Sequence, residues 1–261
     1  MGTLVTFHAH PDDEAIACGG TIARAAAAGH RVVLVTATAG EHGEVAPGVL
    51  ADGESLAERR RAELHEAARI LGVHRVEILG YVDSGMMGTP ANEDPVSFWQ
   101  ASVDEAAGRV AAILAEERPD VFTIYDEHGN YGHPDHIQVH RVGVRAAELA
   151  VVERVYEATV NRDEFRRLWA RAAELGVPDL DVEGVDENMG LPESELTAAV
   201  DVTAWLDVKR RALAAHRSQI AEGSFFHALS PEVFAAAFGV EWYRRRGAPP
   251  GGVRETELLP G

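Results

Sequence analysis

The sequence predicts an α/β protein: a Rossmann-like, three-layer αβα arrangement around a mainly parallel sheet. Two observations carry that expectation. Apolar, β-branched runs alternate with alanine-rich helical stretches over residues 1–160, the pattern of βα units. The run at residues 31–38 (RVVLVTAT) is apolar throughout rather than alternating, as a parallel strand covered on both faces is. In such sheets ligands sit outside the carboxyl ends of the strands. That edge is where the polar, glycine-punctuated clusters of this chain fall.

Residues 3–8 read as a buried strand. Residues 14–28, rich in Ala and Ile, read as a helix with Gly29 as its C-cap. With the strand at 31–38 they form a βαβ unit, whose crossover is right-handed. The loop Ala39-Gly40-Glu41-His42-Gly43-Glu44-Val45 follows. Residues 54–71 form an amphipathic helix with Leu56, Leu64, Ala67, Ala68 and Leu71 on one side, ending at Gly72. A short strand at 75–79 runs into a loop that holds Asp83. Residues 97–117 are helical and stop before Pro119, and residues 121–125 (VFTIY) are a strand. The next loop carries Tyr131 and Gly132-His133-Pro134-Asp135-His136. Pro134 suits a helix start, and the helix continues over 136–149. Residues 153–159 read as a fifth strand.

After residue 160 the pattern changes. Residues 162–176 read as helical, and the acidic, Gly- and Pro-containing stretch 178–196 as a surface excursion or lid. Residues 200–203 read as a short strand with Thr203 as N-cap for a helix over 204–220. Residues 231–238 read as a short helix and 240–243 as an edge strand. A single domain is expected over 1–246, its C-terminal part folding over the strand ends. Residues 247–261, with Pro249-Pro250-Gly251-Gly252, read as a flexible tail.

Composition narrows the function. The 261 residues carry 24 basic and 42 acidic side chains, a net charge of −18. Nucleic acid and anionic membranes both need a basic patch, so neither is an expected partner. A small, neutral or weakly cationic substrate suits the charge. Cys18 is the one cysteine, which excludes an intramolecular disulfide and fits a reducing cytoplasm. No signal-peptide pattern opens the chain and no apolar run reaches membrane-span length, so a cytoplasmic protein is expected. A homo-oligomer is allowed.

The chemistry concentrates in two clusters, each after a strand. His10-x-x-Asp13 offers an imidazole and a carboxylate on a tight turn, and His133-x-x-His136 offers two imidazoles. A catalytic zinc site uses three protein ligands and leaves one position for water. Four donors are on offer, so one histidine has another task, facing an oxyanion or protonating a leaving amine. Asp12, beside Asp13 but pointing elsewhere, is the natural base for the attacking water. That set of parts hydrolyses amides or esters. Glu14 reads as a partner of that turn or a helix cap. His8 reads as a packed core histidine, His42 and His128 as loop residues that could line the crevice, and His140 as a partner of His136. The first βα loop lacks G-x-G-x-x-G and its carboxylates repel a pyrophosphate, which argues against a nucleotide-binding module. A purely structural zinc wants a closed shell, often of cysteines.

These residues resemble the LmbE-like, or PIG-L-type, N-acetylglucosaminyl deacetylase family. The resemblance rests on Ala9-His10-Pro11-Asp12-Asp13-Glu14 and Gly132-His133-Pro134-Asp135-His136. It extends to Thr38-Ala39-Gly40-Glu41, Arg60-Arg61-Ala62-Glu63, and Lys209 with His216-Arg217-Ser218-Gln219. It implies a zinc hydrolase, with Fe2+ or Co2+ as alternative metals, removing acetyl from an N-acetylated amino sugar. By motif it implies His10, Asp13 and His136 as ligands, Asp12 as general base, His133 as electrophile or acid tuned by Asp135, and Tyr131 polarising the acetyl carbonyl. Within the family the motifs are most similar to the mycothiol-pathway deacetylase and amidase branch, where residues like Glu44, Arg60 and Asp83 hold sugar or inositol hydroxyls. An amidase acting on thiol-sugar conjugates is the alternative that this resemblance implies.

Overall fold

A computed structural model describes residues 1–45, 48–171, 189–221 and 224–259. Most of the stretch expected as a lid, 178–188 of 178–196, and the end of the helix expected over 162–176 lie outside the described residues.

Among the described residues one sheet of seven strands forms: β1 (Thr3–His8), β2 (Arg31–Thr38), β3 (Arg75–Tyr81), β4 (Val121–Tyr125), β5 (Val155–Thr159), β6 (Ala198–Asp201) and β7 (Val240–Arg245). Their spatial order is β3-β2-β1-β4-β5-β7-β6. The first five run parallel; β7 pairs antiparallel with β5 and β6 antiparallel with β7. β1 and β2 are buried almost throughout, because helices cover both faces. The edge strand expected at 240–243 is instead interior. Ala158 and Ala198 both pair with Tyr243, and Tyr243 is wholly buried. Its alternating sequence looks half-exposed, but Glu241 on the polar side is buried against Lys209.

The helices before and after β2 are α1 (Asp13–Ala17), α2 (Gly19–Ala27) and α3 (Leu56–Leu71). The single helix expected over 14–28 is broken at Cys18. The Glu241 carboxylate accepts the Gly20 and Thr21 N–H groups, both at 2.8 Å, and so starts a new helix there. Ser55 and Glu58 form a reciprocal capping box at the start of α3, and Gly72 closes it in the left-handed conformation. On the far side of β3 the helix expected over 97–117 begins later, as α4 (Val103–Glu117), where Ser102 caps it. A single turn α5 (Gly129–Gly132) leads into α6 (Pro134–Ala150), and α7 (Arg162–Ala170) follows β5. The C-terminal helices are α8 (Leu206–Ala215), α9 (Phe225–Ala228) and α10 (Pro231–Phe238). α8 stops short of the expected 220 because His216 leaves the helix to bond Glu14. Thr203 opens a short turn and does not cap α8.

α1, α2, α3 and α8 pack as one layer, and α4 with α6 forms the other, giving the expected three-layer α/β fold. The C-terminal part does more than cover the strand ends, since β7 and β6 extend the sheet itself. Within the segment expected as a flexible tail, residues 255–259 lie against the body: Glu255 bridges to Ala198, and Leu258 and Leu259 are buried in the main core. Two consecutive leucines at the chain end supply apolar area that the glycines and prolines before them do not reveal. No helix among the described residues is long and apolar enough to cross a membrane.

Candidate active site

The carboxyl ends of four neighbouring strands, β3, β2, β1 and β4, present the loops that carry the predicted residues. The turn after β1 is held in an unusual shape. Asp12 has φ 111°, ψ −32°, a region that a side-chain-bearing residue rarely adopts. Its carbonyl accepts the Ala15 and Ile16 N–H groups, and its own N–H donates to Glu14 Oε2 at 2.9 Å. Arg60 from α3 donates to Pro11 O at 2.5 Å and to Gly40 O at 3.0 Å, and lies 3.2 Å from Asp12 Oδ2. Arg60 is only 4% exposed, so it is an internal brace rather than a surface charge. Gly40 admits it: a Cβ there would lie 2.3 Å from the Arg60 Nη1 atom. Burial pushes the Asp12 carboxyl up to about 6, against the pull of Arg60.

His10 stands at the centre. Its Nδ1 is 3.4 Å from Asp13 Oδ2, and its Nε2 is 3.1 Å from Asp135 Oδ2 and 3.5 Å from Asp83 Oδ1. Asp13 Oδ2 also lies 3.3 Å from His136 Nε2. Asp13 therefore meets both nominated partner histidines. Burial disfavours a charged His10, but Asp13, Asp135 and Asp83 outweigh it and hold the imidazole well above its ordinary range. The ligand atoms of His10, His133 and His136 lie within 4.8 Å of one another, as do those of His10, Asp83 and Asp135. The structure thus gathers His133 with His10 and His136, and Asp83 and Asp135 with His10 in a second group; Asp13 belongs to neither group and meets His10 and His136 only pairwise.

His133 accepts the Asp135 N–H at Nδ1, 3.1 Å away. In the neutral ring this leaves the proton on Nε2. Burial, then the neighbouring His10 and His136, push His133 down to about 3. Asp135, expected to tune His133, meets it through its backbone amide. Its carboxylate accepts from Ser84, at N–H and Oγ, and faces His10. Pro134 aims α6 so that its first turn offers that amide.

Tyr131 is 44% exposed, with its hydroxyl 3.3 Å from His136 Nε2. Glu44 is exposed at the rim, where its carbonyl accepts from Gln219. Asp83 is buried and accepts the His42 and Gly85 N–H groups. His8 is a core residue, between Thr6 and Tyr125. His140 bonds the Tyr125 carbonyl, not His136. His42 lines the cavity described below, whereas His128 is not among its lining residues. Sequence reasoning missed Ser84 and the fully buried pair Glu14–His216. The run His216-Arg217-Ser218-Gln219 in the family motif is the signal that could have found the latter.

The strand-end loops line a cavity of about 790 Å3. Its polar side holds His10, Asp12, Asp13, His133 and His136. Its other wall is apolar, with Phe165, Trp169, Phe226, Val233 and Trp242. A deep cleft with few convergent polar groups is the usual form of a small-molecule site.

The family profile described as GlcNAc-PI de-N-acetylase (PIG-L) matches residues 5–147, which contain both histidine clusters. A 1D-myo-inositol 2-acetamido-2-deoxy-alpha-D-glucopyranoside deacetylase of Thermomonospora curvata is 43% identical, with 99% of this chain and 96% of the relative covered. The protein of the same description from Acidothermus cellulolyticus is 44% identical over 99% of this chain and 94% of its own. Among solved structures, an N,N'-diacetylchitobiose deacetylase from Pyrococcus horikoshii has the same fold, with a TM-score of 0.59 at 23% identity, covering 94% of this chain and 83% of its own. With the sheet, the paired histidine turns and full-length similarity in agreement, the chain belongs to the PIG-L family of GlcNAc-PI de-N-acetylases.

Proposed function

We propose that this chain is a zinc-dependent hydrolase that removes the acetyl group from an N-acetylated amino sugar, with a 2-acetamido-2-deoxy-glucopyranoside of inositol as the first substrate to test. The observation that carries the reading is a buried histidine–carboxylate cluster beside a separate carboxylate, Asp12, on the floor of one cavity. Relatives at 43–44% identity that bear a deacetylase name support it.

His10, Asp13 and His136 would hold the metal. The donor set fits a divalent cation: three carboxylates converge on His10 in a buried site, and a cation relieves their repulsion. His133 stays outside the ligand set, because its Nδ1 is engaged and its Nε2 carries the proton. A bound zinc lowers the pKa of a water to about 7 and polarises a carbonyl. Asp12 takes a proton from the attacking water and delivers it to the departing amine, so that amide and water become acetate and amine. His133, a neutral donor at Nε2, faces the negative charge that develops on the acetyl oxygen. The Tyr131 hydroxyl, beside His136, shares that task. Asp135 acts from behind, fixing His10 through its carboxylate and His133 through its amide. Glu44 binds sugar hydroxyls at the rim, and Arg60 and Asp83, which line the same cavity, are the further sugar or inositol contacts that the resemblance implies.

The test joins metal analysis to an acetate-release assay. Asp12→Ala should keep its metal and lose about 10²–10⁴-fold in turnover; near-normal turnover would remove Asp12 as base. His10→Ala and His136→Ala should lose the metal itself.

A second reading is an amidase for thiol-sugar conjugates. The volume of the cavity and its apolar wall favour it. A panel of N-acetylglucosamine, its inositol glycoside, chitobiose and a thiol conjugate separates the two by relative kcat/KM.

A further inference from the structure

Behind the turn that bears Asp12 lies a buried pair that the proposed chemistry does not use. His216 Nε2 is 2.7 Å from Glu14 Oε1, and both side chains are 0% exposed. The other Glu14 oxygen accepts the Asp12 N–H at 2.9 Å. The two oxygens of Glu14 therefore join a residue near the chain's end to the backbone of the candidate base.

His216 is itself anchored. Two residues on, Ser218 donates to Glu63 of α3 from its N–H at 3.0 Å and from its hydroxyl at 2.6 Å. Gln219 accepts from Arg60 at 3.2 Å and donates to Glu44 O at 2.9 Å. Residues 216–219 thus clamp the first and second strand-end loops onto α3. A strained backbone such as that of Asp12 persists only where its surroundings over-determine it. Here Arg60 fixes the carboxylate side of Asp12 and the His216–Glu14 pair fixes the amide side.

We propose that His216 is a positioning residue for the reaction: through Glu14 it holds Asp12 in its strained conformation, so that the carboxylate faces the cavity. The inference rests on the reading of Asp12 as general base. It needs a donor at the Nε2 position of the ring, which a glutamine amide reaches and the shorter asparagine does not.

The experiment compares zinc-loaded wild type, His216→Gln and His216→Asn on the inositol glycoside of N-acetylglucosamine, with kcat, KM and metal content measured for each. His216→Gln should keep kcat within about threefold, and His216→Asn should lose at least about tenfold in kcat with KM and metal content unchanged. A purely structural role would leave the kcat of folded protein equal in the two variants; that equality would overturn the inference, as would a loss confined to KM or metal. If His216→Asn does not fold, His216→Gln decides: retained kcat supports the inference, and a tenfold loss in folded, metal-loaded protein refutes it. A crystal structure of either folded variant gives a second readout. An Asp12 φ unchanged in His216→Asn counts against the inference even if no substrate turns over. Wild type that releases no acetate from any N-acetyl sugar defeats the functional reading alone.

Discussion

At the residue scale, four aspartates at one edge of the sheet do different things because of what each one meets. Asp12 faces Arg60, Asp13 bridges His10 and His136, Asp83 collects backbone amides, and Asp135 is shared between Ser84 and His10. The same principle works far from the site at Glu117. Hydrogen bonds from Arg31, and then Arg75, outweigh partial burial and hold the Glu117 carboxyl down at about 2. A folded value below the ordinary 4.5 stabilises the fold. That contribution is complete above the ordinary value and is lost as pH falls through about 2. Glu117→Gln should cost about 1–2 kcal/mol at pH 7, a figure reduced for the exposed Arg31 partner. Urea denaturation should show the gap between the two proteins narrowing from pH 5 downward; a gap that stays constant into acid would exclude this ion cluster as its source.

At the element scale, the turns decide more than the helices do. Gly129 has φ 63°, and a Cβ there would lie 2.7 Å from both His136 Cβ and Ile137 N. Gly129→Ala should therefore cost about 1–3 kcal/mol and shift the first turn of α6. Because that turn carries His136, metal affinity should fall by about 10–100-fold, the range seen when a ligand's support is disturbed. Melting curves and a metal titration check both halves. Undiminished affinity would mean that α6 is set by its packing on α4 alone. Secondary structure was largely legible here: the strands at 3–8, 31–38 and 121–125 and the helix at 231–238 fall where periodicity and caps place them. The break at Cys18 was not. Its cause is Glu241, which no local pattern connects to residues 20 and 21.

At the scale of the whole molecule, the C-terminal third completes the sheet and holds the site. Lys209 Nζ lies 2.6 Å from Glu241 Oε1, and both side chains are within 2% of full burial. Removing one partner leaves an uncompensated buried charge. Lys209→Met should accordingly cost about 3–5 kcal/mol in chemical denaturation. A loss below about 1 kcal/mol would show that the amides of Gly20 and Thr21 satisfy Glu241 unaided. β7 sits inside the sheet because β6 pairs along the edge that β5 leaves open, although its alternating sequence reads as an edge.

Local sequence is enough for the alternation of strands and helices, the family, and the two histidine turns, because hydrophobic period, caps and motif spacing are local properties. It also placed those turns on one edge, since a parallel α/β sheet puts its strand-end loops together. Which charges are buried, and with whom, follows from the packing of distant segments: the Asp135 carboxylate against His10, Arg60 as a brace, Glu241 at the start of α2, His216 on Glu14. The physical reason is that a solvated charge and a buried, paired one look the same in sequence. Only the packing of segments as far apart as residues 14 and 216 supplies the partner.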